Sequence, residues 1–82
     1  MAQLPKGADA YTDSLTALLA AAKADSSKAD LLFRLSDYWS DRDSALAVHF
    51  AEQAFTWVKE NSFLQGVAYF YRAGAYFNYN RN

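Results

Sequence analysis

Cysteine is absent from these 82 residues, so neither a disulfide nor a thiolate metal site can hold the fold together. Histidine occurs once, at His49, and one imidazole without a second nitrogen or sulfur ligand does not make a metal centre. Proline also occurs once and glycine three times, which disfavours a turn-rich β architecture. An excess of one charge sign is missing too. Eight basic residues stand against nine acidic ones, spread along the chain, for a net charge of −1. That balance leaves no electrostatic footprint for nucleic acid or an anionic membrane surface. The most apolar stretch, Leu64 to Tyr79, is interrupted by Gln65, Arg72 and Asn78, which argues against membrane insertion by this segment. The opening residues Met1 to Gly7 are polar and broken by Pro5 and Gly7, so they form no secretory core. Two compartments stay open: cytoplasmic, or extracytoplasmic after removal of a leader ahead of Ala2 or Gln3.

What remains is rich in Ala, Leu, Tyr and Phe, a composition that favours an all-α fold. A chain of this length buries only about 60–65% of the surface its unfolded form exposes, so its core is small. Domains below roughly 80 residues usually need a staple. With disulfides and metals excluded, association with another copy is the staple left.

The apolar periodicity predicts a lead over residues 1–10 and four helices, over about 11–24, 28–40, 44–59 and 63–79, paired antiparallel through short turns. Leu15, Leu18, Leu19 and Ala22 form the stripe of the first, with Thr12 or Asp13 as its cap. Asp25-Ser26-Ser27 reads as a break in which Ser26 or Ser27 caps a second helix with Leu31, Leu32, Leu35, Tyr38 and Trp39 buried. The polar run Ser40 to Asp43 reads as a tight turn whose Asp41 or Asp43 caps the third helix, where Ala47, Ala51 and Ala54 allow close packing. In the fourth, aromatic side chains lie nearly all around, and such a helix needs cover on more than one side.

Leu35-Ser36-Asp37-Tyr38-Trp39 is echoed 38 residues later by Ala73-Gly74-Ala75-Tyr76-Phe77, the length of a helix-turn-helix repeat unit. With Lys28-Ala29-Asp30-Leu31-Leu32, Ala51-Glu52-Gln53-Ala54 and Gln65-Gly66-Val67-Ala68-Tyr69 around it, the chain from Thr12 onward resembles tetratricopeptide (TPR) repeats. More narrowly it resembles the N-terminal repeats of bacterial sensor histidine kinases and related regulators. It departs from that pattern in lacking the usual proline after the third helix, where Lys59-Glu60-Asn61 stands. The pattern stops at Asn80-Arg81-Asn82, where the family would turn into another helix. The expectation is a segment of a longer array, or a repeat completed by another molecule.

The resemblance implies a TPR-like superhelix that acts as a protein-interaction scaffold, with no enzymatic turnover and no cofactor. It implies a partner groove on Asp30, Phe33, Asp37 and Ser40 of the first unit and on Ala68, Tyr71, Ala75, Asn78 and Tyr79 of the second. That surface suits a basic or aromatic ligand, since the Lys, Arg and Asn that clamp a peptide carboxylate are missing. The plainer alternative makes Asp30 and Asp37 solvated, and Phe33 and Tyr71 packing residues. Exposed aromatics on the fourth helix, Tyr69, Phe70, Tyr76 and Phe77, point to self-association as a dimer or by helix exchange. Two further readings are a free-standing peptide-binding adaptor and a small-ligand pocket between Trp39, Trp57 and Tyr71. His49 with Glu52 at helical spacing lacks a positioned nucleophile, so no catalytic role is assigned. Asp41 and Asp43 lack further oxygen ligands for a cation.

Overall fold

The computed structural model describes residues 10–81, and these form an all-α fold with no strand among the described residues. The helices are α1 (Ala10–Ala21), α2 (Asp25–Trp39), α3 (Ser44–Ala54) and α4 (Ser62–Arg81), with a single 3₁₀ turn over Phe55–Trp57. The expected lead over residues 1–10 falls outside the described residues except for Ala10, which is already helical.

The helix starts and stops follow from local chemistry. α1 ends three residues earlier than the apolar pattern runs, because Ala22 N–H donates back to Leu19 O in a tightened last turn and Ala24 is extended, at φ −79° and ψ 137°. Asp25-Ser26-Ser27 is therefore the first turn of α2 rather than a break. The Ala24 carbonyl accepts from Lys28 N–H at 3.1 Å, and neither serine is the cap residue. Short polar side chains suit a first turn as well as a cap, and Asp25 complements the positive end of the helix. Thr12 is likewise no cap: it is buried inside α1, and its carbonyl accepts from Thr16 Oγ1 at 2.8 Å. Asp43, in contrast, caps α3, its Oδ1 accepting from Leu46 N–H at 3.2 Å. α3 gives way to the 3₁₀ turn at Phe55-Thr56-Trp57-Val58, a β-branched and aromatic run with low helix propensity. Asn61 then starts α4 by accepting from Leu64 N–H at 3.0 Å.

The contacts set the helix directions. Ala29 in the first half of α2 and Phe33 at its middle share a cluster with Ala54, the last residue of α3, and with Val58 just past it, while Trp39 at the end of α2 packs on Ala47 near the start of α3. These two helices run antiparallel. By the same test α3 and α4 are antiparallel, since Ala54 and Val58 meet Ala68, and Ala47 meets Ala75. α1 opposes α2, with the Tyr11 ring 5.7 Å from Tyr38 and Leu19 packed against the cluster that holds Ala29 and Phe33. α2 and α4 consequently run the same way, side by side, with α3 packed on both.

Small residues set how closely these helices approach. Ala47, Ala51 and Ala54 are fully buried, and Ser36 donates through Oγ to Ala47 O across the α2–α3 crossing at 2.9 Å. Burying that hydroxyl costs nothing unpaired, because the hydrogen bond replaces the one lost to water. Of the expected stripe on α1, Leu15 is buried but Leu18 is exposed. Thr12 takes the inner position, so the stripe runs through residues 12, 15, 19 and 22.

Candidate functional site

α4 has two apolar faces. With about 3.6 residues per turn, residues 64, 68, 71, 75 and 78 lie along one side of a helix and residues 63, 66, 70, 74 and 77 along the other. The first side is the seam with the rest of the fold. Ala68 and Ala75 are buried there, and the Tyr71 ring stacks on Phe33 of α2 with centroids 5.2 Å apart and planes 11° from parallel. At the far end of the seam, Asn78 Nδ2 donates to Ser40 O at 3.0 Å, tying α4 to the end of α2.

The groove positions implied by the TPR resemblance thus divide into three groups. Phe33, Ala68 and Tyr71 meet in one core cluster of the seam, while Ala75 packs with Trp39 and Ala47 in the other. Ser40, Asn78 and Tyr79 gather beside the Ser40–Asp43 turn, where Tyr79 borders a shallow depression with Arg42 and Asp43. Asp30 and Asp37 are exposed on α2. The Asp30 carboxylate accepts from Arg34 Nε at 2.9 Å, and this hydrogen bond, with the charge behind it, raises the guanidinium pKa further.

The second side of α4 carries Phe63, Phe70 and Phe77, which are 76%, 72% and 63% exposed. Between them lie Gly66 and Gly74, and a Cβ built at either glycine meets no atom within 4 Å. Phe63, Gly66, Val67 and Phe70 border a shallow open depression. From Ser62 to Asn80 the one charged residue is Arg72, and it is drawn aside to α3. Its guanidinium lies 4.7 Å from the Phe55 ring centroid and 5.1 Å from that of Tyr69, and 3.9 Å from a Glu52 oxygen. From Phe63 to Phe77 the described residues of the outer face carry no charge.

The four aromatics expected to drive self-association fall on different flanks. Phe70 and Phe77 belong to the outer face. Tyr69 and Tyr76 lie toward α3, Tyr69 edge-on to Phe55 at 4.9 Å and Tyr76 donating to the Glu52 carboxylate. That hydrogen bond, together with the carboxylate charge, pushes the Tyr76 phenol above its ordinary pKa of 10.0. Sequence reasoning missed Phe63, Gly66 and Gly74 as members of the face. The seven-residue spacing of Phe63, Phe70 and Phe77 was the signal that would have found them.

The remaining candidates are dispersed. His49 is exposed, its Nε2 3.1 Å from Gln53 Nε2, while Glu52 is engaged with Tyr76 and Arg72. Asp43 is a helix cap and Asp41 pairs with Arg42 at 3.2 Å. Trp39 sits in one core cluster, and Trp57 and Tyr71 pack against the other. Among the described residues no group of three or more His, Asp or Glu side chains is placed to hold a metal ion, and no helix is long and apolar enough to cross a membrane.

Comparison of the chain with protein-family models, with curated proteins and with solved structures finds no match.

Proposed function

We propose that this chain is a protein-contact scaffold of the helical-repeat type, akin to the TPR segments that serve signalling proteins as sensory or dimerising elements, and that the outer face of α4 is its contact surface. One observation carries the reading. The 38-residue offset relates Leu32, Ser36 and Trp39 of α2 to Phe70, Gly74 and Phe77 of α4. The α2 residues are buried, Leu32 in a cluster with Ala54 of α3, Ser36 bonded to Ala47 of α3 and Trp39 packed on it. Their α4 counterparts are exposed. α4 therefore presents outward the positions that α2 uses to hold a neighbouring helix, and an uncharged apolar face of this length is a site for a protein partner. The scaffold works by surface complementarity, without turnover and without a cofactor.

The test separates a contact face from a core face. In a variant carrying Phe63→Gln, Phe70→Gln and Phe77→Gln, the helical circular dichroism and the urea midpoint at low protein concentration stay at or above those of the parent. Binding of an anilinonaphthalene sulfonate dye to the folded protein is lost. Failure of the variant to fold would show that these rings belong to the fold's own core, and the reading would be wrong.

A further inference from the structure

The outer face of α4 has an internal symmetry that a surface for an unrelated partner does not require. Counted from Phe70, the glycines stand four residues to either side, at Gly66 and Gly74. The phenylalanines stand seven to either side, at Phe63 and Phe77. The spacing along the stripe is three, four, four and three, the same read in either direction. A two-fold interface is isologous: the same patch serves both subunits, so residues equidistant from the axis oppose one another and the patch must be complementary to itself, as glycine opposite glycine and phenylalanine opposite phenylalanine are. A face for a different helix is under no such condition.

Resting on the reading of this face as a contact surface, we infer that its occupant is a second copy of the chain. The two α4 helices lie antiparallel, with the two-fold axis at Phe70. In that arrangement Gly66 of one copy opposes the partner's Gly74, and Phe63 opposes the partner's Phe77. The two Phe70 rings meet at the axis. Both glycines then have a purpose that no other described residue gives them, since among the described residues nothing lies within 4 Å of their Cβ positions. Removing the side chain at those two points lets the helix backbones approach while the rings fill the flanks. The depression bordered by Phe63, Gly66 and Phe70 receives a ring from the partner. With Arg72 held on α3, no charge is desolvated at the centre of the contact, as befits an interface core. Phe63 and Phe77 are about 21 Å apart along the helix, long enough to fix the orientation of the pair.

The absence of cysteine makes the orientation directly testable. Phe63→Cys and Phe77→Cys are prepared separately in the full chain and treated with a short bis-maleimide, alone and mixed. The antiparallel pair predicts a cross-linked dimer in the mixture and its loss when either variant is treated alone, because residue 63 then faces Phe77 rather than another cysteine. Cross-linking of Phe63→Cys with itself would overturn the antiparallel two-fold in favour of a parallel pair. The same treatment of Asp13→Cys, on α1, guards against collisional products, and equal yields there and in the mixture would also overturn the inference. Cross-linking nowhere would show that the second copy is not the occupant. The contact-surface reading would still stand or fall separately, on the triple glutamine variant and its dye binding.

Discussion

Leu35 has no exposed surface, and Ser36 beside it turns its hydroxyl onto Ala47 O. Their roles separate by magnitude. Leu35→Ala removes a fully buried branched side chain and leaves a cavity, which costs about 2–5 kcal/mol, a large share of what so small a domain holds. Ser36→Ala loses one net hydrogen bond, about 1 kcal/mol. Urea unfolding of the two variants should show this order, and a reversed order would mean that the α2–α3 crossing is held by its hydrogen bond rather than by its packing. Tyr76 gives a second test at this scale. Glu52 accepts from the neutral phenol and opposes its ionisation, so the folded pKa lies above 10.0. The contribution to stability is complete below pH 10 and fades as pH rises through the raised value. In a titration followed by tyrosinate absorbance, Tyr76→Phe should remove a component that ionises late. Glu52→Gln should bring that component back toward the ordinary value; no change with Glu52→Gln would break the assignment. Individual burial was partly legible in the sequence: Leu15, Leu32, Leu35 and Trp39 are where the apolar period puts them. The burial of Thr12 and Ser36 was not, since the polar side chains break the apolar pattern; for Ser36 it depends on the Ala47 carbonyl lying within reach of its hydroxyl.

At the scale of the element, α4 shows the most tension between local preference and position. Glycine inside a helix is less favourable than alanine by about 1 kcal/mol, and α4 carries two with no neighbour near their missing Cβ atoms. Gly66→Ala and Gly74→Ala should therefore each stabilise the monomer by about 0.5–1 kcal/mol in dilute urea melts. The same changes should weaken association, because the added methyl groups stand where the partner helix comes closest. A variant that gains both stability and affinity would count against close backbone approach at these positions. The four helices themselves were legible from period and polar breaks, and Asp43 as the cap of α3 was one of two residues its chemistry allowed. The ends were harder. Asp25-Ser26-Ser27 serves equally well as a first turn or as a break, and only the extended Ala24 decides between them. The 3₁₀ turn at Phe55–Trp57 breaks a stripe that apolar periodicity alone carries through to Lys59.

Across the whole molecule, the offset of 38 residues becomes a physical relation: α2 and α4 lie side by side in the same direction, and the equivalent residues Ser40 and Asn78 touch. That relation makes the difference between the two helices meaningful, since α2 buries its equivalent face against α3 while Phe70 and Phe77 of α4 stay exposed. That α4 is aromatic nearly all around could be read from the sequence, but which rings face outward could not. Tyr69 and Phe70 are adjacent in sequence, and only the packing of α3 shows that the first leans on Phe55 while the second points away. An uncharged contact also predicts that association changes little with ionic strength, whereas a contact built on ion pairs would weaken as salt screens it.

The most direct test is the solution mass of the chain and of Phe70→Gln by light scattering, each across a concentration series. We predict a mass that rises from one chain to two for the parent and stays at one chain for the variant over the same concentrations. A parent that remains monomeric throughout, or a variant that dimerises as readily as the parent, would contradict the claim that the outer face of α4 joins two copies of this protein.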